Sequence, residues 1–292
     1  MEDLLTLRDW LRWAVSRFTE ARLSYGHGTD NAFDEAVWLI LHSLHLPPER
    51  LEAFLDARLT RQERLALLAL LEQRVHRRVP AAYLTHEAWL GPYRFYVDER
   101  VIVPRSYIAE LLQEGLAPWV PDRDEVGRVL DLCTGSGCLA ILAADTFPNA
   151  QVDAVDLSPD ALAVARRNVD DYGLSHRLAL HQGNLYGPLG RRKYDVIISN
   201  PPYVTDAAMA ELPQEYRHEP AMALAAGADG MDLVRRIVGE ARKRLNPGGV
   251  LVVEVGHNQA EAEAALPEVP LLWLDTPSDE GKVFLVERDN LP

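Results

Sequence analysis

Asn200-Pro201-Pro202-Tyr203 closes the apolar run "YDVIIS" and is the most chemically pointed stretch of this 292-residue chain. Two consecutive prolines offer no N–H to a ladder, so a strand that reaches them must end. Asn200, as the residue before a proline, is pushed toward extended backbone. The chain therefore leaves its strand stiffly, with a side-chain amide and the carbonyls around it aimed at one place. The plainer reading is a strand-ending turn with Tyr203 in the core.

Three further segments carry residue types suited to a bound ligand. "DLCTGSGC", Asp131 to Cys138, follows one strand and opens a helix. Gly135 and Gly137 remove side chains where the backbone must turn tightly and a ligand must approach it. Such turns are common, and a dinucleotide site competes for this one. Asp156 ends the next strand, 21 residues after Gly135, where an acid that binds ribose hydroxyls belongs. As a helix cap it is less well placed than Ser158 or Asp160. Asn184, in "QGNLYG", ends the third strand. It reads either as an amide for an adenine edge, with Leu185 or Tyr186 against the ring, or as a turn residue. Ligands of open α/β sheets lie outside the carboxyl ends of the strands, and all four segments end there.

The elements that must hold them follow from periodicity. From Val126 onward, "RVLDLCT", "QVDAVDLS", "RLALHQGN", "YDVIISN" and "VLVVEVGH" are short apolar strands separated by amphipathic stretches, the pattern of a mainly parallel sheet covered on both faces. Between 85 and 105, Trp89, Tyr93, Phe95, Val97, Val101 and Val103 alternate around Gly91-Pro92 and Asp98-Glu99, which reads as a β-hairpin linker. Residues 1–84 read as a helical domain, with Phe33, Val37, Leu41 and Leu44 on one face and Asp30 or Asn31 as the cap. That domain serves either docking or stability. Residues 106–292 form the catalytic unit. Arg105 either orients a carboxylate or the glycine loop, or makes a surface pair. Glu254, mid-strand among apolar neighbours, pairs inside the fold with His257 or a backbone group. The long segment 204–224 suits a loop over the substrate.

Bulk properties narrow the classes. The chain is 48% hydrophobic and 25% charged, an ordinary globular composition. No apolar run reaches membrane-spanning length, and the acidic amphipathic start "MEDLLTLRDWLRW" is unlike a targeting segment, so cytoplasm is the expected compartment. Cys133 and Cys138 lack a neighbouring cluster, so neither a disulfide nor a metal is expected. Most of the net charge of −14 falls after residue 98. An acidic catalytic half is a poor binder of phosphate backbones and suits a basic partner. Only "RRK" at 191–193 and "RKR" at 242–244 stand out as basic.

Glycine loop, strand-end acid and Asn-Pro-Pro-Tyr together resemble the class I S-adenosylmethionine-dependent methyltransferases, with a Rossmann-like seven-stranded sheet, that modify planar amino groups. "RRVPAAYLTHEAWLGPYRFYVDERVIVPRS", "EPAMALAAGADGMDL" and "LNPGGVLVVEVGHNQ" resemble the HemK-like N5-glutamine methyltransferases, which act on translation proteins. The resemblance runs from about residue 75 to the C-terminus and, more loosely, over the helical domain. Release-factor enzymes of that family resemble one another in a Pro-Arg-Pro-x-Thr-Glu segment and a glycine in the loop. Pro104-Arg105-Ser106-Tyr107-Ile108-Ala109-Glu110 and Cys133 depart from both, and resemble the branch acting on the third protein of the large ribosomal subunit.

The resemblance implies S-adenosylmethionine as cofactor, held by Asp131, Cys133, Thr134, Gly135, Ser136 and Gly137 of the loop. Asp156 and Leu157, Asn184 and Leu185, and Asn200 complete that set. It implies a glutamine side-chain amide as target, with Asn200 Oδ1 and the Pro201 carbonyl each accepting one N–H. Pro202 stiffens the turn, and Tyr203 packs on the amide or on the methionine portion of the cofactor. The implied partner is a large-subunit ribosomal protein, free or in an early assembly intermediate. Methylation of a release factor shares the chemistry. A DNA or RNA amino-methyltransferase would need a basic track for the backbone. Neither a metal nor stable nucleic-acid binding is expected.

Overall fold

A computed structural model describes residues 3–292; Met1 and Glu2, where the expected helical domain begins, lie outside the described residues. Helix α1 (Leu7–Glu20) opens on Thr6, whose hydroxyl accepts the Asp9 N–H while the Asp9 carboxylate accepts the Thr6 N–H. This reciprocal cap satisfies donors that the first turn would leave orphaned. Asn31 caps α2 (Ala32–Ser43). Of the expected face of α2, Leu41 is buried and Val37 and Leu44 pack against the core, but Phe33 is 50% exposed, and Ala36, Leu39 and Ile40 are buried as well. Glu35 points inward with them, because its carboxylate meets Arg74 Nε at 2.7 Å. Helix α3 (Leu51–Phe54) is one turn. A second capping box, Thr60 with Glu63, opens α4 (Arg61–Arg77), and α5 (Ala81–Thr85) ends the helical region.

The hairpin is shorter than expected. Only β1 (Ala88–Leu90) and β2 (Tyr93–Phe95) pair, around Gly91-Pro92. Residues 96–105 form no ladder, although Val97, Val101 and Val103 are buried. The Val101 N–H reaches back to the Asp98 carbonyl and the Asp98 carboxylate takes the Arg100 guanidinium, so the chain turns there rather than pairing. Alternation here records an extended segment laid over the core.

After α6 (Ile108–Gln113) the chain builds one sheet from β3 (Arg128–Leu132), β4 (Gln151–Asp156), β5 (Leu178–Gln182), β6 (Tyr194–Ser199), β7 (Leu245–Glu254), β8 (Leu272–Leu274) and β9 (Val283–Glu287). Its order is β5-β4-β3-β6-β7-β9-β8; the first five strands are parallel and β9 is antiparallel to both neighbours. The intervening helices are α7 (Cys138–Thr146), α8 (Pro159–Asp171), α9 (Asp206–Glu211), α10 (Asp232–Arg244) and α11 (Gln259–Ala265). Ile108, Ile141 and Val164 pack with Val129 and Val152 on one face. Ile237 and Ala262 pack with Leu130, Ile197 and Leu251 on the other. Buried on both sides, the strands read as continuous apolar runs.

The order reverses between β3 and β6, because the chain runs outward through β4 and β5 and then returns to β3's other side. Such a reversal opens a crevice at the carboxyl ends of the strands. Leu132 pairs with Ser199 in the register, so Cys133 and Asn200 leave adjacent strands side by side. The Ser199 hydroxyl donates to the Leu132 carbonyl at 2.8 Å and pins that exit.

Candidate active site

The glycine loop is fixed by hydrogen bonds that leave one surface bare. The Thr134 N–H donates to the Val155 carbonyl at 3.0 Å, and the Thr134 hydroxyl to Asp131 Oδ2 at 2.5 Å. Asn168 on α8 holds the Ser136 carbonyl at 2.9 Å. Cys133, Gly135 and Gly137 all have left-handed backbone, with φ of 61°, 54° and 80°. That conformation is natural for glycine and strained for Cys133. A Cβ on Gly135 would touch no protein atom, whereas one on Gly137 would meet the Ala165 methyl at 3.2 Å. Gly135 therefore faces a cleft, and Gly137 lets α7 lie close to α8.

Asp156 sits opposite. Its Oδ2 accepts the Gly135 N–H at 2.8 Å and its Oδ1 the Ser158 N–H at 2.9 Å. Ser158, accepting the Ala161 N–H, is the cap of α8, so Asp156 is spared that task. Burial raises the Asp156 pKa against these hydrogen bonds. Each carboxylate oxygen keeps a lone pair for a further donor. Asn184 accepts Arg236 Nη2 at 2.9 Å through Oδ1, which turns its NH2 end outward as a donor.

The cleft between these groups, about 1030 Å³ including its open mouth, is lined by Cys133, Thr134, Gly135, Ser136, Asp156, Leu157, Asn184, Leu185, Asn200 and Pro202 among others. Leu157 and Met222, 54% and 53% exposed, make its mouth apolar. Two expected contact residues stand elsewhere. Asp131 is buried behind the loop, holding Thr134, and desolvation pushes its carboxyl up to about 7. Gly137 faces α8. Tyr186 is 1% exposed in the core, with its hydroxyl on the Ile237 carbonyl, so of the two residues expected beside a ring only Leu185 reaches the cleft.

A second cleft adjoins the first and shares Ile102, Arg105, Asn200, Pro202 and Ala223 with it. Pro201, Tyr203, Val204, Tyr216 and His257 line it, together with Ser24 from the helical region. Asn200 thus stands where the two clefts meet. Its Nδ2 donates to the Arg105 carbonyl at 3.2 Å. That partner can only accept, which settles the orientation of the amide. Among the described residues, Asn200 Oδ1 and the Pro201 carbonyl accept no hydrogen bond from the chain. Tyr203 is wedged by two glycines: a Cβ on Gly256 would meet its Cε2 at 2.7 Å, and one on Gly230 its carbonyl oxygen at 2.4 Å. Tyr203 lines the second cleft and not the first.

Sequence reasoning passed over the residues that brace this arrangement. Glu219, its side chain fully enclosed, takes Arg105 at 2.6 and 2.7 Å and the Val103 N–H at 2.9 Å. Burial alone would raise the Glu219 carboxyl, but the hydrogen bonds and charge of Arg105 hold it at about 2. Arg105 therefore pairs with a buried carboxylate rather than at the surface. Glu254 is buried and, as one of the two expected alternatives, accepts a backbone group, the Tyr107 N–H at 2.9 Å, together with the Ser106 hydroxyl at 2.5 Å; His257, the other alternative, meets Lys282. Segment 204–224 carries α9 and lines the second cleft through Val204, Tyr216 and Leu224 among others. Its Glu215 is inserted among Arg74, Arg78 and the Ser24 N–H of the helical region.

The donor set fits S-adenosylmethionine. A strand-end carboxylate can take ribose hydroxyls, an outward amide can meet the base, and the bare backbone at Gly135 leaves room for close approach. Among the described residues no cluster of His, Cys, Asp or Glu could hold a metal ion. No helix among them is long and apolar enough to cross a membrane.

Similarity to known proteins identifies the family. A family model described as "Methyltransferase small domain" matches residues 111–229, and one described as "PrmC N-terminal domain" matches residues 9–85. A ribosomal protein uL3 glutamine methyltransferase of Burkholderia pseudomallei (strain K96243) is 63% identical over 98% of this chain and 96% of its own. Proteins of the same description from Bordetella pertussis and Neisseria gonorrhoeae are 61% and 56% identical, each over 99% of this chain and 97% of theirs. Among solved structures, the hMettl16 catalytic domain has a TM-score of 0.51 at 17% identity, over 80% of this chain and 83% of that one, a likeness of fold alone. With relatives this similar over nearly the whole length, the chain belongs to the family of ribosomal protein uL3 glutamine methyltransferases.

Proposed function

We propose that the chain methylates the side-chain amide nitrogen of a glutamine in ribosomal protein uL3, and that Asn200 and the Pro201 carbonyl hold that nitrogen by its two hydrogens. The observation that carries the residue assignment is the unshared Oδ1 of Asn200, turned away from the Arg105 carbonyl at the junction of the two clefts. Bound S-adenosylmethionine supplies a methyl group already activated by its sulfonium. A carboxamide nitrogen is a poor nucleophile, because its lone pair is delocalised into the carbonyl. The protein's task is alignment and stabilisation of positive charge as it grows on that nitrogen. Two oxygen acceptors bind the N–H groups more strongly as they become acidic, which is binding that favours the transition state. Alignment itself can contribute up to about 7–11 kcal/mol. Pro202 keeps the turn stiff, and Tyr203, held in its glycine slot, walls the amide from water. As the nitrogen–carbon bond forms, the methyl–sulfur bond would break with its electron pair left on sulfur, giving S-adenosylhomocysteine, and one N–H proton would be given up to solvent through the second cleft.

Asp156 would hold the ribose, Asn184 and Leu185 the base, and the loop from Cys133 to Ser136 the remainder of the cofactor. Asp131 and Gly137 would act from behind by shaping that loop. The helical region, residues 1–84, would contribute to docking, since Ser24 reaches the second cleft. A target glutamine must leave its own fold to enter this site, which favours free uL3 or an early assembly intermediate, in the cytoplasm. A nucleic-acid substrate is disfavoured by position as well as by charge. Arg191–Lys193 and Arg242–Arg244 directly precede β6 and β7, at the edge of the sheet opposite the clefts. Arg192 reaches Asp153, and Arg242 the Leu291 carbonyl.

Incubation with labelled cofactor and, separately, free uL3, intact ribosomes and release factors, followed by mass mapping, tests the reading. Label is expected on a glutamine of free uL3. Label in RNA, or on release factor alone, would overturn it.

A further inference from the structure

We propose that Glu219 is a positioning residue for methyl transfer, acting on Asn200 through the Arg105 backbone. The inference rests on the reading that Asn200 holds the target amide. Glu219 accepts three hydrogen bonds from one short stretch of chain 114 to 116 residues earlier. It grips the Arg105 guanidinium with both oxygens, and its Oε1 also accepts the Val103 N–H. Arg105 Nη1 returns to the Val103 carbonyl at 3.1 Å. Backbone 103–105 is therefore closed on itself around one carboxylate. The next atom along that closed stretch is the Arg105 carbonyl, the acceptor that orients the Asn200 amide.

The surroundings keep the carboxylate in place. The Arg105 guanidinium lies over the Tyr216 ring at 5.4 Å, and the His27 ring packs on the other partner of that contact at 4.4 Å between centroids. His27 Nε2, which is buried, lies 3.6 Å from Glu219 Oε1. Among the described residues Glu219 makes no hydrogen bond to Asn200 or Tyr203, so its influence on the reaction passes through Arg105. The orientation it maintains decides whether Oδ1 or NH2 of Asn200 faces the second cleft; only the oxygen can accept the target's N–H.

The test is a double-mutant cycle on single-turnover methylation, using the full chain with saturating S-adenosylmethionine and uL3. Glu219→Gln keeps one oxygen for the Val103 N–H but loses the charge that grips Arg105. It is expected to lower the rate at least tenfold. Asp153→Asn serves as the control, because it breaks another enclosed carboxylate–arginine pair, at the end of the sheet opposite the clefts. That variant is expected to lose thermal stability with its rate within twofold of wild type. In an Asn200→Ala background, Glu219→Gln should cause no further loss. If the two losses multiply, or if Glu219→Gln is as fast as Asp153→Asn, the proposal is overturned. Should Glu219→Gln not fold, Glu219→Asp, which keeps the charge on a shorter arm, enters the same cycle under the same criteria. A wild-type rate in Asn200→Ala alone would instead overturn the underlying assignment of Asn200, and so identifies which of the two has failed.

Discussion

Asn200 donates its side-chain NH2 to the Arg105 carbonyl at 3.2 Å, joining residues 95 apart in the chain. This bond gives the tetrapeptide a direction. An asparagine at a strand end has no preferred face, and the carbonyl of Arg105 supplies one by accepting from the nitrogen end alone. On the proposed assignment, the oxygen is left for the target amide.

The Tyr203 slot is tight enough to test with one methyl group. Gly256 has φ of 55°, and a Cβ there would approach the Tyr203 ring to 2.7 Å. Gly256→Ala should cost about 1–3 kcal/mol in urea denaturation through overpacking, and should lower turnover by moving the ring. S-adenosylmethionine affinity, measured by calorimetry, should be unchanged, because neither Gly256 nor Tyr203 lines the first cleft.

The parallel sheet, the glycine loop, Asp156 and the tetrapeptide were readable from sequence because each is a local signal: a run, a turn or a strand end. The braces were not. Glu219 finds Arg105 across 114 residues, and Glu215 finds Arg74 across 141. No periodicity announces such pairs. Three-residue β8 gave no distinctive run, although β9 carries one, Val283 to Val286, as clear as those of the parallel strands. Asp131 and Gly137 were read as contacts because they lie within the loop, but sequence does not say which side of a loop faces the ligand. The α2 face was misjudged at Phe33 for a related reason: a charged residue, Glu35, is buried once Arg74 is there to meet it.

Contact between Glu215 and the helical region should matter for stability. Glu215 accepts the Ser24 N–H at 3.0 Å and lies 3.3 and 3.2 Å from the Arg74 and Arg78 guanidinium nitrogens. Glu215→Ala should cost about 1–3 kcal/mol, the penalty for buried donors left short of a partner. It should also speed limited proteolysis within 204–226. Unchanged cleavage there would show that the segment is held by other means.

Two buried carboxyls give the chain an unusual pH dependence. Desolvation pushes Glu254 and Asp131 each up to about 7, outweighing the hydrogen bonds that favour their ionised forms. A carboxyl whose folded pKa exceeds its unfolded value binds a proton more tightly in the folded chain. Stability then falls as pH rises from the unfolded pKa, about 4.3 for Glu, toward the folded one, and levels off beyond it. Glu219, held at about 2, acts in the opposite sense and only in acid, below the unfolded pKa. Glu254→Gln keeps an oxygen for Ser106 and Tyr107 but cannot ionise. Its melting temperature should therefore fall less than that of wild type between pH 5 and pH 8, with one pKa unit worth about 1.4 kcal/mol. Identical losses in the two proteins would contradict the assignment to Glu254.

Single-turnover methylation of uL3 by Asn200→Ala, with cofactor affinity measured on the same preparation, bears most directly on the central claim. Affinity should stay within a few fold of wild type, because Asp156 and the glycine loop are untouched. The rate should fall roughly 100- to 1000-fold, the usual effect of removing one preorganised hydrogen-bonding group at a reacting centre. Methylation at the wild-type rate would contradict the claim that Asn200 holds the target nitrogen.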